Sequence, residues 1–254
     1  MLLISSLIIV AIINFLLFLI AYNLQSDKLT DFAYSLSFIV VSVYALFMSK
    51  YQPNLLVLAV FMVVVWALRL GVFLVIRISR TGKDSRFNNI RNDFTKFLKF
   101  WLGQGVVAWF LLLPVLFLAQ RDGAISLLSI AGVAIWLIGL IIETISDFQK
   151  YSFYKISSNK GKWIDSGFWR YSRHPNYFGE ILIWVGMYVV TFSALDNIQR
   201  AIGLMSPVTI FLLLRYVTGV PPLEKAADKR WGTNEHYREY KKRTNLLLPF
   251  QAKV

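Results

Sequence analysis

Apolar positions in this chain neither alternate nor confine themselves to one helical stripe. They run on in seven stretches, at about 2–22, 30–49, 54–76, 98–118, 124–146, 177–195 and 201–219. A helix needs roughly 20 apolar residues to cross the hydrocarbon of a bilayer. The pattern therefore predicts an all-α integral membrane bundle of about seven transmembrane helices. The first stretch, from Met1 to Tyr22, has neither a basic leading region nor a small-residue cleavage site, so it reads as a retained span and not as a signal peptide.

Composition agrees: 57% of the 254 residues are hydrophobic, too many for a soluble domain that must also cover itself with polar surface. The absence of cysteine excludes disulfides, thiolate catalysis and cysteine-based metal sites. Net charge is +13, and its distribution matters more than its sum. With seven spans, 23 of the 27 Lys and Arg residues fall on one side and 3 on the other, with Arg69 inside the third span. That asymmetry predicts an N-terminus outside and a C-terminus in the cytoplasm. Most of the excess is explained by orientation and by attraction to anionic lipid.

The loops on the charged side are long and aromatic. They read RISRTGKDSRFNNIRNDF after the third span, SDFQKYSFYKISSNKGKWIDSGFWRYSRHPNYFGE after the fifth, and PPLEKAADKRWGTNEHYREYKKRTNLLLPF in the tail. Loops that only connect spans can be much shorter, so length on one face points to a site assembled there. Pro175 is placed to open a helix, since a first-turn proline forfeits no hydrogen bond. LEKAADKRW and NEHYREYKKR carry acids early and bases late, as surface helices prefer. No internal repeat of the kind seen in inverted-repeat transporters is present.

Ionisable residues at membrane depth are costly and usually face a cavity or a partner. Asp31, Arg69, Glu143, Asp147 and Glu180 qualify. Asp31 is also compatible with an interfacial position, and Arg69 with a structural ion pair. Glu143, Asp147 and Lys150 share one helix face, and Asn176 and Glu180 lie one turn apart. Between these stripes Lys150, Lys155, Lys160, Lys162, Arg170, Arg173 and His174 interleave with Trp163, Trp169, Tyr171 and Tyr177. Basic forks hold phosphate and aromatic faces hold flat rings, a pairing suited to a nucleotide. The chain has no glycine-rich G-x-G-x-x-G loop, so such a ligand would be held by side chains of the bundle. A metal is not expected, because His174 and His236 are the only histidines and are not spaced as ligands. No serine stands in a nucleophilic arrangement.

The run GFWRYSRHPNYFGE resembles the C-terminal signature of the DUF1295 / steroid 5-alpha-reductase-like membrane proteins, with the delta-14 and delta-7 sterol reductases as more distant relatives. SDFQKYSFYK, PPLEKAADKRWG, YREYKKRTNLLLPF and WALRLGVFLVIR extend the likeness from about residue 60 onward. The resemblance implies a reductase that takes NADPH from the cytoplasmic side and reduces a carbon–carbon double bond conjugated to a carbonyl in a lipidic substrate. It implies cofactor contacts from Asp147, Lys150, Tyr154, Trp169, Arg170, Arg173, His174, Asn176, Tyr177 and Glu180. In the tail it implies Glu224, Asp228 and Tyr240, supported by Arg215. The expected setting is a bacterial inner membrane, with residues 1–120 as the lipid-substrate half and 124–254 as the cofactor half. Substrate would enter from the bilayer between spans one to four, and nucleic acid is not an expected partner.

The steroid reductases place a glutamate on their second helix and a tyrosine on their third. This chain has neither, and Asp31, Tyr34 and Arg69, with Glu180, stand as its candidate catalytic groups. An alternative class, the isoprenylcysteine and phospholipid methyltransferases, shares an R-H-P-x-Y-x-G run and binds S-adenosylmethionine. A third possibility is a non-enzymatic lipid-binding protein, which leaves the acids of spans five and six without a purpose.

Overall fold

A computed structural model of the chain describes residues 1–51, 53–81, 87–88 and 90–249, with side chains omitted for 77–81. Residues 82–86 and 89 of the loop after the third span, Gln52, and Phe250 onward lie outside the described residues. What is described is helical: α1 (Leu2–Asn23), α2 (Lys28–Met48), α3 (Asn54–Thr81), α4 (Phe94–Leu111), α5 (Leu113–Leu118), α6 (Leu127–Lys155), α7 (Pro175–Phe192), α8 (Asn197–Gly203), α9 (Met205–Leu212), α10 (Val220–Trp231) and α11 (Glu235–Arg243). Among the described residues the extended pairing is a single parallel bridge, Ser172 to Asn245.

Among the described residues five helical segments are long and apolar enough to cross a membrane, and not seven: Leu2–Asn23, Lys28–Met48, Asn54–Ile76, Leu127–Lys155 and Asn197–Trp231. The other two expected spans have physical reasons to fall short. Lys96, Lys99 and Gln104 dilute α4, which then breaks at Leu112 before Pro114 of the six-residue α5. Asn176 and Glu180 dilute the first turns of α7, which is 18 residues long. The protein is an all-α integral membrane bundle.

The chain forms two compact units, Met1–Ile130 with Met187–Ser206, and Ala131–Gly186 with Pro207–Val254. In the first, α1 and α4 approach closely at Gly105, where an added Cβ would stand 2.8 Å from Val10 and 2.9 Å from Asn14. Phe18, Phe87, Phe97 and Trp101 fill the core beside that crossing. Arg91 and Asp27 form a buried ion pair at 2.8 Å.

In the second unit, α6 and α7 meet backbone to backbone. A Cβ on Gly139 would lie 2.7 Å from the Gly179 carbonyl, one on Gly179 2.6 Å from the Glu143 nitrogen, and one on Gly186 2.5 Å from the Trp136 nitrogen. Without a hydrophobic driving force between helices in lipid, small residues that allow this approach are how spans gain packing energy. The same crossing fixes the polar ends of both helices side by side.

Candidate functional site

Where α6 leaves its apolar stretch, the two predicted polar stripes come together. Asn176 Nδ2 donates to Asp147 Oδ1 at 3.2 Å, with Glu180 one turn further along α7. Glu143 and Asp147 are buried. From here the chain runs through Ile156–His174 and returns to α7. Gly167, at φ +60°, takes a left-handed turn against Gln149, whose side chain accepts from Phe168 N at 3.0 Å. Burial of Trp169 then anchors the loop: its indole N–H donates to the Ser146 carbonyl at 3.0 Å.

The tail closes over this loop. Tyr240 donates to the Trp169 carbonyl at 2.8 Å, and burial holds its hydroxyl protonated well above the ordinary tyrosine range. Backbone N–H groups of Arg173 and His174 donate to the carbonyls of Asn245 and Leu246, at 2.9 and 3.1 Å. The Arg173 side chain donates to Glu224 at 3.1 Å and to the carbonyls of Lys241 and Thr244. Glu224 also meets His174 Nε2 at 3.0 Å and Lys241 at 3.1 Å, and Lys241 in turn reaches Asp228 at 2.7 Å. Arg173, expected on phosphate, is thus occupied in holding the tail to the loop.

Between α6, the loop, α10 and α11 lies a cavity of about 230 Å³. Its walls are aromatic: Trp163 stands 5.2 Å from Tyr237 and 6.1 Å from Trp231, and Trp169 carries the Lys150 ammonium 4.7 Å over its ring. Three cations line it, Lys150, Arg173 and Arg230, against the one carboxylate of Glu224. His174 is 5% exposed and stacks on Tyr177 at 5.5 Å. Burial holds its imidazole below the ordinary histidine range, against the pull of Glu224. The neutral ring donates through Nε2 to Glu224, which leaves the Nδ1 lone pair unpartnered among the described residues.

The family profile described as "Protein of unknown function (DUF1295)" matches residues 17–244. The chain belongs to the DUF1295 family. A curated relative of this DUF1295 protein is 3-oxo-5-alpha-steroid 4-dehydrogenase 1 of Rattus norvegicus, 26% identical over 121 residues, which is 48% of this chain and 41% of that one. The match thus spans less than half the length of that relative. No solved structure matches.

The predicted residues of the DUF1295 chain divide between the units. Lys150, Tyr154, Trp169, Arg173, His174, Glu224 and Tyr240 line the cavity. Asp147 and Asn176 bond to each other, Tyr177 backs His174, and Asp228 holds Lys241. Arg170 is exposed, and Arg215 lies over the Tyr216 ring in a π turn at Leu213–Val217. Asp31, Tyr34 and Arg69 belong to the first unit, where all three are half-buried. Tyr34 meets Phe38 edge-on at 4.9 Å, Phe38 meets Trp66 at 4.9 Å, and Arg69 stands over Phe73 at 5.7 Å. Sequence reasoning missed Trp231, Tyr237, Arg230 and Lys241. Their signal is the KRWG and EHYREYKK runs, whose spacing does not say which face meets Trp163.

Proposed function

We propose that this chain is a membrane reductase that takes NADPH in its second unit and reduces a carbon–carbon double bond conjugated to a carbonyl in a lipidic, steroid-like substrate. The observation that carries the reading is the aromatic cavity with three cations against one carboxylate, formed where loop and tail join. A cationic ligand such as S-adenosylmethionine suits that excess poorly, and a phosphorylated ring suits it well. The relative's name, a 3-oxo-5-alpha-steroid 4-dehydrogenase, supports oxidoreductase chemistry of the same class.

The residues present suit one end of such a cofactor. A volume of about 230 Å³ is below the roughly 300–1,000 Å³ of pockets that enclose whole drug-sized ligands. Lys150 and Arg230 would meet phosphate beside Tyr154, and Arg170, exposed and outside the cavity lining, would add positive charge next to Trp169. Glu224, Asp228, Tyr240 and Arg173 act by holding the tail in place, and Arg215 supports α10 from the turn before it. Asp147, Asn176, Tyr177 and Glu180 would orient the nicotinamide end. NADPH, when bound, supplies the hydride. Negative charge then builds on the substrate's carbonyl oxygen, which calls for a donor there. Tyr34 and Arg69 carry donors suited to that task, and Asp31, at neutral charge, is a proton source. The reading places the protein in a bacterial inner membrane with its cofactor site toward the cytoplasm.

A thermal-shift titration of detergent-purified protein with NADPH, NADH and S-adenosylmethionine tests the reading, because a ligand that binds only the native state raises apparent stability by mass action. NADPH is expected to stabilise most. Stabilisation by S-adenosylmethionine alone would assign the chain to the methyltransferases, and no response to any of the three would leave a lipid-binding role.

A further inference from the structure

Of the three cations that line the cavity, two have their surroundings set by the fold. Arg173 donates to Glu224 and to the carbonyls of Lys241 and Thr244. Lys150 is half-buried on α6 with its ammonium over the Trp169 ring. Arg230, in the last turn of α10, is different: it is exposed, and its guanidinium lies 5.0 Å over the Trp231 ring. That ring is itself fixed, since its indole N–H donates to the Gly161 carbonyl at 2.6 Å. Stacking uses the face of a guanidinium and leaves its five donors, which lie in the plane, for other partners. Among the described residues no carboxylate or carbonyl accepts from them, so Arg230 presents an unused fork at the cavity. Both acids of α10 are already committed: Glu224 accepts from Arg173, His174 and Lys241, and Asp228 from Lys241.

We propose that Arg230 selects NADPH over NADH, its guanidinium fork taking the ribose 2′-phosphate at the mouth of the cavity. This rests on the dinucleotide reading above and deepens it by assigning the residue that tells the two cofactors apart. They differ only in that phosphate. A site for the bare 2′-hydroxyl sets a carboxylate against it, and a site for the phosphate sets an arginine there. Here the carboxylates of α10 are held by cations of their own, and the uncommitted group is a guanidinium. Position separates the phosphates in the same way. Asp147, Lys150 and Tyr154 follow one another along one face of α6, at i, i+3 and i+7. Asp147 bonds to Asn176 at the proposed nicotinamide end. Lys150 stands one turn on, suited to the pyrophosphate. Arg230 lies near enough to Tyr154, a further turn on, for its charge to act on that hydroxyl. The order nicotinamide, pyrophosphate, 2′-phosphate thus follows the helix outward.

The test is calorimetric titration of the full-length detergent-purified chain with NADPH and with NADH, for the wild type, Arg230→Leu, Arg230→Lys and Lys229→Leu. The wild type is expected to bind NADPH about ten- to hundredfold more tightly than NADH, the range for charge-assisted hydrogen bonds. Arg230→Leu should weaken NADPH by that factor, leave NADH within about twofold, and so erase the preference; because Arg230 is exposed, the melting midpoint without ligand should stay where it is. Arg230→Lys keeps the charge without the fork and should fall between the two. Lys229→Leu removes the neighbouring charge, which does not line the cavity, and should keep the wild-type preference. Equal wild-type affinity for the two cofactors, an Arg230→Leu chain that still prefers NADPH or loses both cofactors alike, or an equal effect from Lys229→Leu would each overturn the assignment and leave the reductase reading standing. Failure of the wild type to bind NADPH at all would remove that reading and the assignment with it.

Discussion

Glu224 is the residue on which the second unit's polar architecture converges. It takes hydrogen bonds from Arg173, His174 and Lys241, so that one carboxylate ties the loop before α7 to both tail helices. Removing one partner of a network this enclosed strands the cations, and Glu224→Gln should cost about 2–3 kcal/mol, between the values for exposed and for fully buried pairs. Urea or thermal melts in detergent measure it, and an unchanged midpoint would mean the network is solvated. His174 adds a pH dependence. Its imidazole is held below the ordinary histidine range by burial, with Glu224 pulling the other way and Lys150 and Arg173 adding to the depression. The unfolded chain therefore binds a proton near pH 6.5 that the folded chain does not, so its contribution is complete above that pH and lost as the pH falls below it. The melting midpoint should decline as the pH falls below about 6.5, and His174→Phe should flatten that decline. The sequence picked out Arg173, His174 and Glu224 but could not tell structural from ligand-facing use. Arg173 reads as a phosphate fork until the carbonyls of Lys241 and Thr244, some 70 residues away, are seen to occupy it.

At the scale of elements, the close crossing of α6 and α7 is what brings Asp147 to Asn176. Gly179→Ala places a methyl 2.6 Å from the Glu143 nitrogen, which is backbone and cannot step aside. Overpacking of this kind costs roughly 1–3 kcal/mol or more, and NADPH affinity should fall with stability because the polar ends of both helices move. Gly103→Ala in α4 is the control: nothing lies within 4 Å of the added carbon, and helix propensity favours alanine by about 1 kcal/mol. Melting and binding measured on the same samples separate the two; equal behaviour would place the constraint elsewhere. The helices themselves were legible. Pro175 opens α7 as its position required, and the two polar tail segments are α10 and α11. What misled was counting. A segment of α4 or α7 looks like a span until its lysines, or its asparagine and glutamate, are weighed against the apolar remainder. In α7 those dilutions are the very residues proposed to bind the cofactor.

For the whole molecule, charge asymmetry is the argument for orientation. Counted over the seven apolar stretches of the sequence, it supports the proposal that the loop after α6 and the tail face the cytoplasm together, with Lys50 opposite. Because the chain has no cysteine, single substitutions can be read without background. A membrane-impermeant maleimide added outside intact cells should label Lys50→Cys and spare Lys242→Cys, and the reverse would invert the topology. The make-up of the two compact units was less legible. Met187–Ser206 belongs with the amino-terminal unit although it follows the signature motif, because chain order does not reveal which helices pack. Nor does it reveal that a cavity forms between a loop near residue 163 and aromatics near residues 231 and 237.

The account depends above all on the loop and tail enclosing a phosphorylated dinucleotide, and hydrogen exchange of the purified protein with and without NADPH addresses that directly. Ligand binding slows exchange in the elements it stabilises. Protection is predicted at 146–180 and 220–247, with α1 changing little. Protection confined to the first unit, or none at saturating NADPH, would contradict it.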